Sequence, residues 1–184
     1  MPLTRLATLA VALALFVPLL ITSVAVAQTP PAPTPSSDYQ EATALFRQGQ
    51  WDRAMERADA WLKSRPKDAR GRFLRGMILT QQNKLDEAIR GYIDITQDFP
   101  ELPEPYNNLA VIYAGQGEYD KARGMLESAV RAMPSFAAAH ENLGDIYARL
   151  AAVSYEKAAK LDAVNKTAAT KLKAVNDLLP GGKR

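Results

Sequence analysis

Residues 106–134 read YNNLAVIYAGQGEYDKARGMLESAVRAMP, and this stretch decides the fold. Apolar residues recur at Leu109 and Tyr113 and again at Ala122, Leu126 and Ala129. That is the three-and-four spacing of two amphipathic helices. Gly117 lies between them, where positive φ is needed for a tight turn after a helix. Asp120 suits the start of the second helix, as a cap or through the helix dipole. Pro134 ends it, having no N–H to donate and clashing with the turn before it.

The same columns return upstream at intervals of 34 residues: Gly49, Asn83 and Gly117; Trp51, Leu85 and Tyr119; Asp52, Asp86 and Asp120; Ala54, Ala88 and Ala122; Pro66, Pro100 and Pro134. A fixed period of this length marks stacked units of helix, turn, helix and stop. The small Ala column lets neighbouring helices come close. The large residue after the turn can pack into it.

In these columns the sequence resembles the tetratricopeptide-repeat family. That pattern is carried by Tyr106, Leu109, Ala110, Tyr113, Ala122, Leu126, Ala129 and Pro134, and a fourth first helix carries His140, Leu143, Gly144 and Tyr147. The second unit is a weaker match, with Arg72, Arg75, Gly76, Leu79, Ala88, Tyr92, Ile95 and Pro100. The first keeps mainly Gly49, Trp51, Ala54, Ala58, Trp61 and Pro66. The resemblance implies an all-α fold: a right-handed α-solenoid of helix–turn–helix repeats with a C-terminal capping helix. Repeats are expected over residues 35–68, 69–102 and 103–136, with a truncated fourth at 137–163, inside a repeat domain spanning 38–163.

The fourth unit departs from the pattern. Its turn column falls on Ala151, and no Gly, Asn or Pro follows Gly144 until beyond Leu161. A left-handed Ala would cost about 1–2 kcal/mol. One continuous helix from about Phe136 to Leu161, with the hairpin deleted, is therefore expected. The alternative is a kink at Ala151–Val153 and a short second helix. Residues 166–179 then close the stack, since Ala168, Leu172, Val175 and Leu179 form one apolar stripe. The final PGGKR is expected to fray.

The N-terminal end has a different character. Arg5 precedes an uncharged stretch, Leu6 to Ala27, that ends in Ala25-Val26-Ala27. This matches the charged, apolar and small-residue regions of a secretory signal peptide, residues 1–27. Export to a bacterial periplasm with cleavage after Ala27 is expected. An uncleaved membrane anchor is the rival, since such a stretch could span a bilayer. Gln28 rather than Cys follows the cleavage site, so a lipoprotein anchor is not available. Residues 28–37, QTPPAPTPSS, carry four prolines and read as an extended linker.

Composition excludes several classes of function. The net charge of +3, or +2 for residues 28–184, is too balanced for a nucleic-acid partner. There is no cysteine, so an exported chain would rely on its core alone. The lone histidine, His140, rules out a multi-histidine metal site and sits where the repeat wants a large packing residue. Gly115 and Gly117 begin a GxG that Asp120 interrupts, so no dinucleotide site is implied. Ser64 to Lys67 and Ser154 to Lys157 match Ser-x-x-Lys without the companion motifs of penicillin-binding enzymes. Asn165-Lys166-Thr167 is a sequon with meaning only in a eukaryotic secretory route. No catalytic residue, cofactor or metal is expected.

In the resembled family the first helix of each repeat lines a concave face that receives a peptide or partner helix. Carried over, this face holds Tyr39, Thr43 and Phe46; Arg70, Phe73 and Met77; Asn107, Asn108 and Val111; and Glu141, Asn142 and Asp145. The Asn side chains could pair with backbone amides of a protein or peptide partner. Phe73 and Met77, at i and i+4, could share one apolar pocket. Arg65, Lys67, Arg70, Arg72 and Arg75 near the front, against Glu101, Glu104, Glu118, Glu141 and Asp145 behind, suggest a charge-graded groove. The carboxylate clamp of the chaperone-binding members, made of lysines, arginine and asparagines, is not expected, because the corresponding places hold Tyr39, Thr43, Ala138 and Asn142 and only the asparagines match.

Overall fold

The chain divides into two units, Met1–Ala32 and Pro33–Arg184. The computed structural model describes residues 35–164 and 166–179, all within the second unit. The signal peptide and its cleavage site, most of the proline tract, Asn165 and the PGGKR end lie outside the described residues.

Eight helices follow one another: α1 (Pro35–Arg47), α2 (Trp51–Ser64), α3 (Ala69–Gln81), α4 (Leu85–Asp98), α5 (Pro103–Gly115), α6 (Tyr119–Ala132), α7 (Ala137–Leu161) and α8 (Lys166–Leu178). No strand occurs among the described residues. Each helix packs on the next, and α1 also meets α3 as α5 meets α7. The fold is an all-α solenoid of tetratricopeptide type.

The turns work as the 34-residue columns require. Gly49, Asn83 and Gly117 have φ of 73°, 58° and 78°. At each, the next amide reaches back five residues: Gln50 to Leu45 at 3.0 Å, Lys84 to Leu79 at 2.9 Å and Glu118 to Tyr113 at 2.8 Å. This is the backbone closure that a left-handed C′ residue makes possible. The aspartate column is not a set of caps. The N-cap positions are Gln50, Lys84 and Glu118, without side-chain capping bonds. Asp52, Asp86 and Asp120 fall in the first turns, where they complement the helix dipole. Pro66, Pro100 and Pro134 stand one residue past the C-caps Arg65, Phe99 and Met133.

Packing follows the columns too. Ala54, Ala88 and Ala122 are all 0% exposed, and Ala58, Tyr92 and Leu126, one turn later, are at most 1% exposed. The facing column on the first helices is equally small: Ala42, Gly76 and Ala110 are buried. At Gly76 an added Cβ would lie 2.6 Å from the Tyr92 ring. The ring therefore occupies the space a methyl would need.

Two expectations need correction. Proline does not hold residues 28–37 extended throughout, because α1 begins at Pro35. Pro tolerates a helix's first turn, where its missing N–H has no partner to lose. His140 is not a packing residue. It is exposed, and its Nε2–H donates to the Pro134 carbonyl at 2.9 Å, while Ala139 fills the buried position beside it. As expected, α7 is one helix over Ala137–Leu161, and α8 follows to pack against it.

Gly76→Ala should destabilise the protein by about 1–2 kcal/mol, because the Tyr92 clash outweighs the gain in helix propensity. Gly124→Ala, where an added Cβ meets nothing within 4 Å, should stabilise it by about 0.5–1 kcal/mol. Urea unfolding followed by circular dichroism checks both.

Candidate functional site

The first helices of the units, α1, α3, α5 and α7, share one face, and three depressions lie along it. The first is lined by Arg70 and Phe73 of α3 with Leu102, Glu104 and Pro105 at the start of α5. The second is lined by Phe46 of α1, Met77, Thr80 and Gln81 of α3, Asn108, Val111 and Ile112 of α5, and Tyr92 of α4. The third is lined by Val111 and Ala114 of α5 with Asn142, Asp145, Ile146 and Arg149 of α7. Val111, 52% exposed, belongs to both the second and the third. The face is thus continuous from α1 to α7. Volumes of about 190, 240 and 180 Å³ fall below the roughly 300–1,000 Å³ of small-molecule pockets. They suit single side chains of an extended or helical segment.

The expected residues divide accordingly. Phe46, Met77, Asn108 and Val111 meet in one depression, and Val111, Asn142 and Asp145 in the next. Phe73 and Met77 do not share a pocket. Phe73 leans on the Tyr92 ring, centroids 5.7 Å apart, and lines the first depression, while Met77 turns toward α1. Tyr39 is spent on packing: its ring lies 5.5 Å from Trp61, with the Arg70 guanidinium 5.4 Å above it. The Thr43 hydroxyl donates to the Tyr39 carbonyl of its own helix at 2.8 Å. Glu141 faces solvent.

The asparagines are partly engaged. The Asn142 Nδ2 donates to Asn107 Oδ1 at 2.8 Å, joining α7 to α5. The Nδ2 of Asn107 and the Oδ1 of Asn142 remain, a donor and an acceptor on the two bridged residues. That pair matches the N–H and C=O of a peptide bond. The Asn108 Nδ2 donates to the Tyr92 hydroxyl at 3.1 Å. Burial pushes the Tyr92 phenol above its ordinary value, against the smaller effect of the neighbouring Thr80 and Asn108 side chains. It stays protonated and can donate into the second depression.

The charge gradient does not survive folding intact. Arg72 pairs with Asp98, Arg75 with Asp59 at 3.1 Å, and Arg70 with Asp68 at 3.2 Å, while Arg65 lies over the Trp61 ring at 4.3 Å. Glu118 is bound by Lys121. Tyr92, Thr80, Gln81, Leu102, Pro105 and Arg149 line the face without having been expected there. Tyr92 had a signal, since a hydroxyl stands in a column otherwise filled by Ala58 and Leu126.

Two family models, each described as tetratricopeptide repeat, match residues 39–101 and 79–150. The chain belongs to the tetratricopeptide-repeat family. Among solved tetratricopeptide-repeat structures it is similar to YrrB, described as having an unusual peptide-binding site, with 25% identity and a TM-score of 0.56. That match covers 60% of this chain and 57% of YrrB, so the chain spans little more than half of YrrB's length. It is similar to MamA from Desulfovibrio magneticus RS-1, from residue 41 on, with 25% identity over 79% of this chain and 76% of that one, and a TM-score of 0.56. The Yersinia enterocolitica secretion chaperone SycD, solved with a peptide of the translocator YopD, shares the fold at 18% identity, with 64% and 95% coverage and a TM-score of 0.59. No curated protein matches the chain.

Asp68 caps α3 at the edge of this face, accepting from the Gly71 amide at 2.8 Å. Burial opposes its ionisation. The Gly71 hydrogen bond and the Arg70 and Trp61 side chains favour it more, leaving the carboxyl below its ordinary 3.8. The unfolded chain therefore holds this proton more tightly. Asp68 should add stability that is fully present above about pH 5 and lost as pH falls through and below 3.8. Asp68→Asn keeps a capping oxygen but should lessen the loss of stability between neutral and acid pH, as read by urea unfolding at both.

Proposed function

We propose that this protein is a non-enzymatic adaptor of the bacterial cell envelope that holds a segment of another protein, extended or helical, along the α1–α3–α5–α7 face. The observation that carries the reading is the continuity of that face through Val111. Side-chain-sized depressions lie on both sides of this residue, and the Asn107–Asn142 pair offers one donor and one acceptor to a backbone amide. Family membership and the peptide-binding site of YrrB, at 25% identity, support the same reading. Binding here needs apolar anchors in Phe46, Met77 and Val111, with Asp145 and Arg149 setting direction at the α7 end. Among the described residues no group of three His, Cys, Asp or Glu is placed to hold a metal ion.

The envelope location rests on Arg5, the uncharged Leu6–Ala27 and the Ala25-Val26-Ala27 site. Among the described residues no helix is long and apolar enough to cross a membrane. Cleavage would yield a protein beginning at Gln28, and intact-mass measurement of the protein from periplasm distinguishes this from a retained anchor.

Val111→Arg places a charge at the shared wall without touching the core. Partners captured from periplasm by the wild type should be lost or reduced at least tenfold, with the melting temperature unchanged. The same partners at the same yield would overturn binding at this face.

A further inference from the structure

The first half of α7 is a fourth first helix by its columns, yet it is not covered like one. Gly76 lies buried under Tyr92 and Ala110 is 1% exposed, but the matching Gly144 is exposed, with nothing within 4 Å of an added Cβ. Leu79 is 1% exposed, whereas Tyr147 in the same column is 50% exposed. Leu109 is 1% exposed and Leu143 only half-buried. In the first three units the column of Ala42, Gly76 and Ala110 is buried beneath the second helix. In the fourth unit the covering helix is missing from its place.

That helix is not missing from the chain. Ala168, Leu172 and Val175 on α8 have the spacing of Ala88, Tyr92 and Ile95 and of Ala122, Leu126 and Ala129, and Pro180 follows where Pro100 and Pro134 follow. The α8 columns stand 46 residues past those of α6 instead of 34. The extra length lies within α7, about three turns of helix. It carries α8 past the Leu143–Tyr147 face and leaves it against the second half of α7. There Leu172 lines a cavity with Ala152, Val153 and Glu156. The fit is poor: of the three columns only Ala168 is buried, and Leu178 is 77% exposed.

One chain thus holds an uncovered socket and an under-packed helix with the spacing that fills such sockets, kept apart by a rigid helical segment. We propose that two copies of this chain pair by exchanging α8. Each α8 lays Ala168, Leu172 and Val175 on the partner copy's Leu143, Gly144 and Tyr147, with Leu172 seated over Gly144 as Tyr92 is over Gly76. The exchange is reciprocal and closes at two chains.

Because the chain has no cysteine, single cysteines report directly. Gly144→Cys and Leu172→Cys variants of the full chain are purified separately as the cell processes them, mixed, and oxidised. Within one chain Leu172 lies beside Ala152, eight residues or about 12 Å along α7 from Gly144, well beyond disulfide reach. The mixture should give a covalent dimer at least fivefold above either variant alone. Light scattering of the wild type should give twice the chain mass, and Tyr147→Lys should return it to one chain with helical circular dichroism unchanged. A monomeric wild type overturns the proposal and leaves the face to a helix of another protein. A dimer without the mixed disulfide, or one indifferent to Tyr147→Lys, also overturns it by placing the contact elsewhere.

Discussion

Everything in this fold depends on two helices coming close enough for a side chain of one to rest on the backbone of the other. The contact is visible at Gly76 under Tyr92, where no room for a methyl is left, and it repeats at Ala42 and Ala110. Close approach needs a small residue on the first helix and an apolar one on the second. A single helix pair buries only part of its apolar surface, so each pair must be covered by the next. The column beside this one shows the covering. Gly71, Pro105 and Ala139 are all buried at the start of the following first helix, and a Cβ on Gly71 would lie 2.6 Å from Trp61. Small residues thus set both the contact within a unit and the contact between units.

The parts of the fold that rest on backbone chemistry could be read from the sequence. Gly49, Asn83 and Gly117 announce a left-handed residue by type alone, and the absence of any such residue after Gly144 announces an unbroken α7. Long-range partners could not be read in this way. His140 stands in the column of Tyr106, yet its imidazole found the Pro134 carbonyl at the preceding turn and lies exposed. The column pattern records where a helix faces in a complete repeat, and the fourth repeat is not complete in place. Arg72 and Arg75 looked like groove charges because their acidic partners, Asp98 and Asp59, lie 26 and 16 residues away and come near only through packing of α3 on α4 and α2.

The candidate site was legible as a set of helix faces but not as a surface. Position along a first helix indicates which residues turn away from the second helix. It does not say whether the residue one turn on opens into the same depression. Phe73 and Met77 separate because Tyr92 rises between the helices beside Phe73 and engages Asn108. A wall residue therefore came from α4, a second helix, whereas the expected face drew on first helices alone.

Tyr92 also shows why the stack and the inner face cannot be varied independently. Its ring fills the Gly76 contact that holds the second unit together, and its hydroxyl stands at the edge of the second depression. Leu126, one unit on, fills the same column with no polar tip, and that unit's inner face gets its hydrogen-bonding groups instead from the Asn107–Asn142 pair across α5 and α7. Two adjacent units thus present donors to a guest chain by different means. One uses a buried ring that the core already requires, the other a bridge that exists only because α7 follows α5. Loss of the α7 contact would remove the second means while leaving the first, so the far end of the face depends on how well the last helices of the stack are covered.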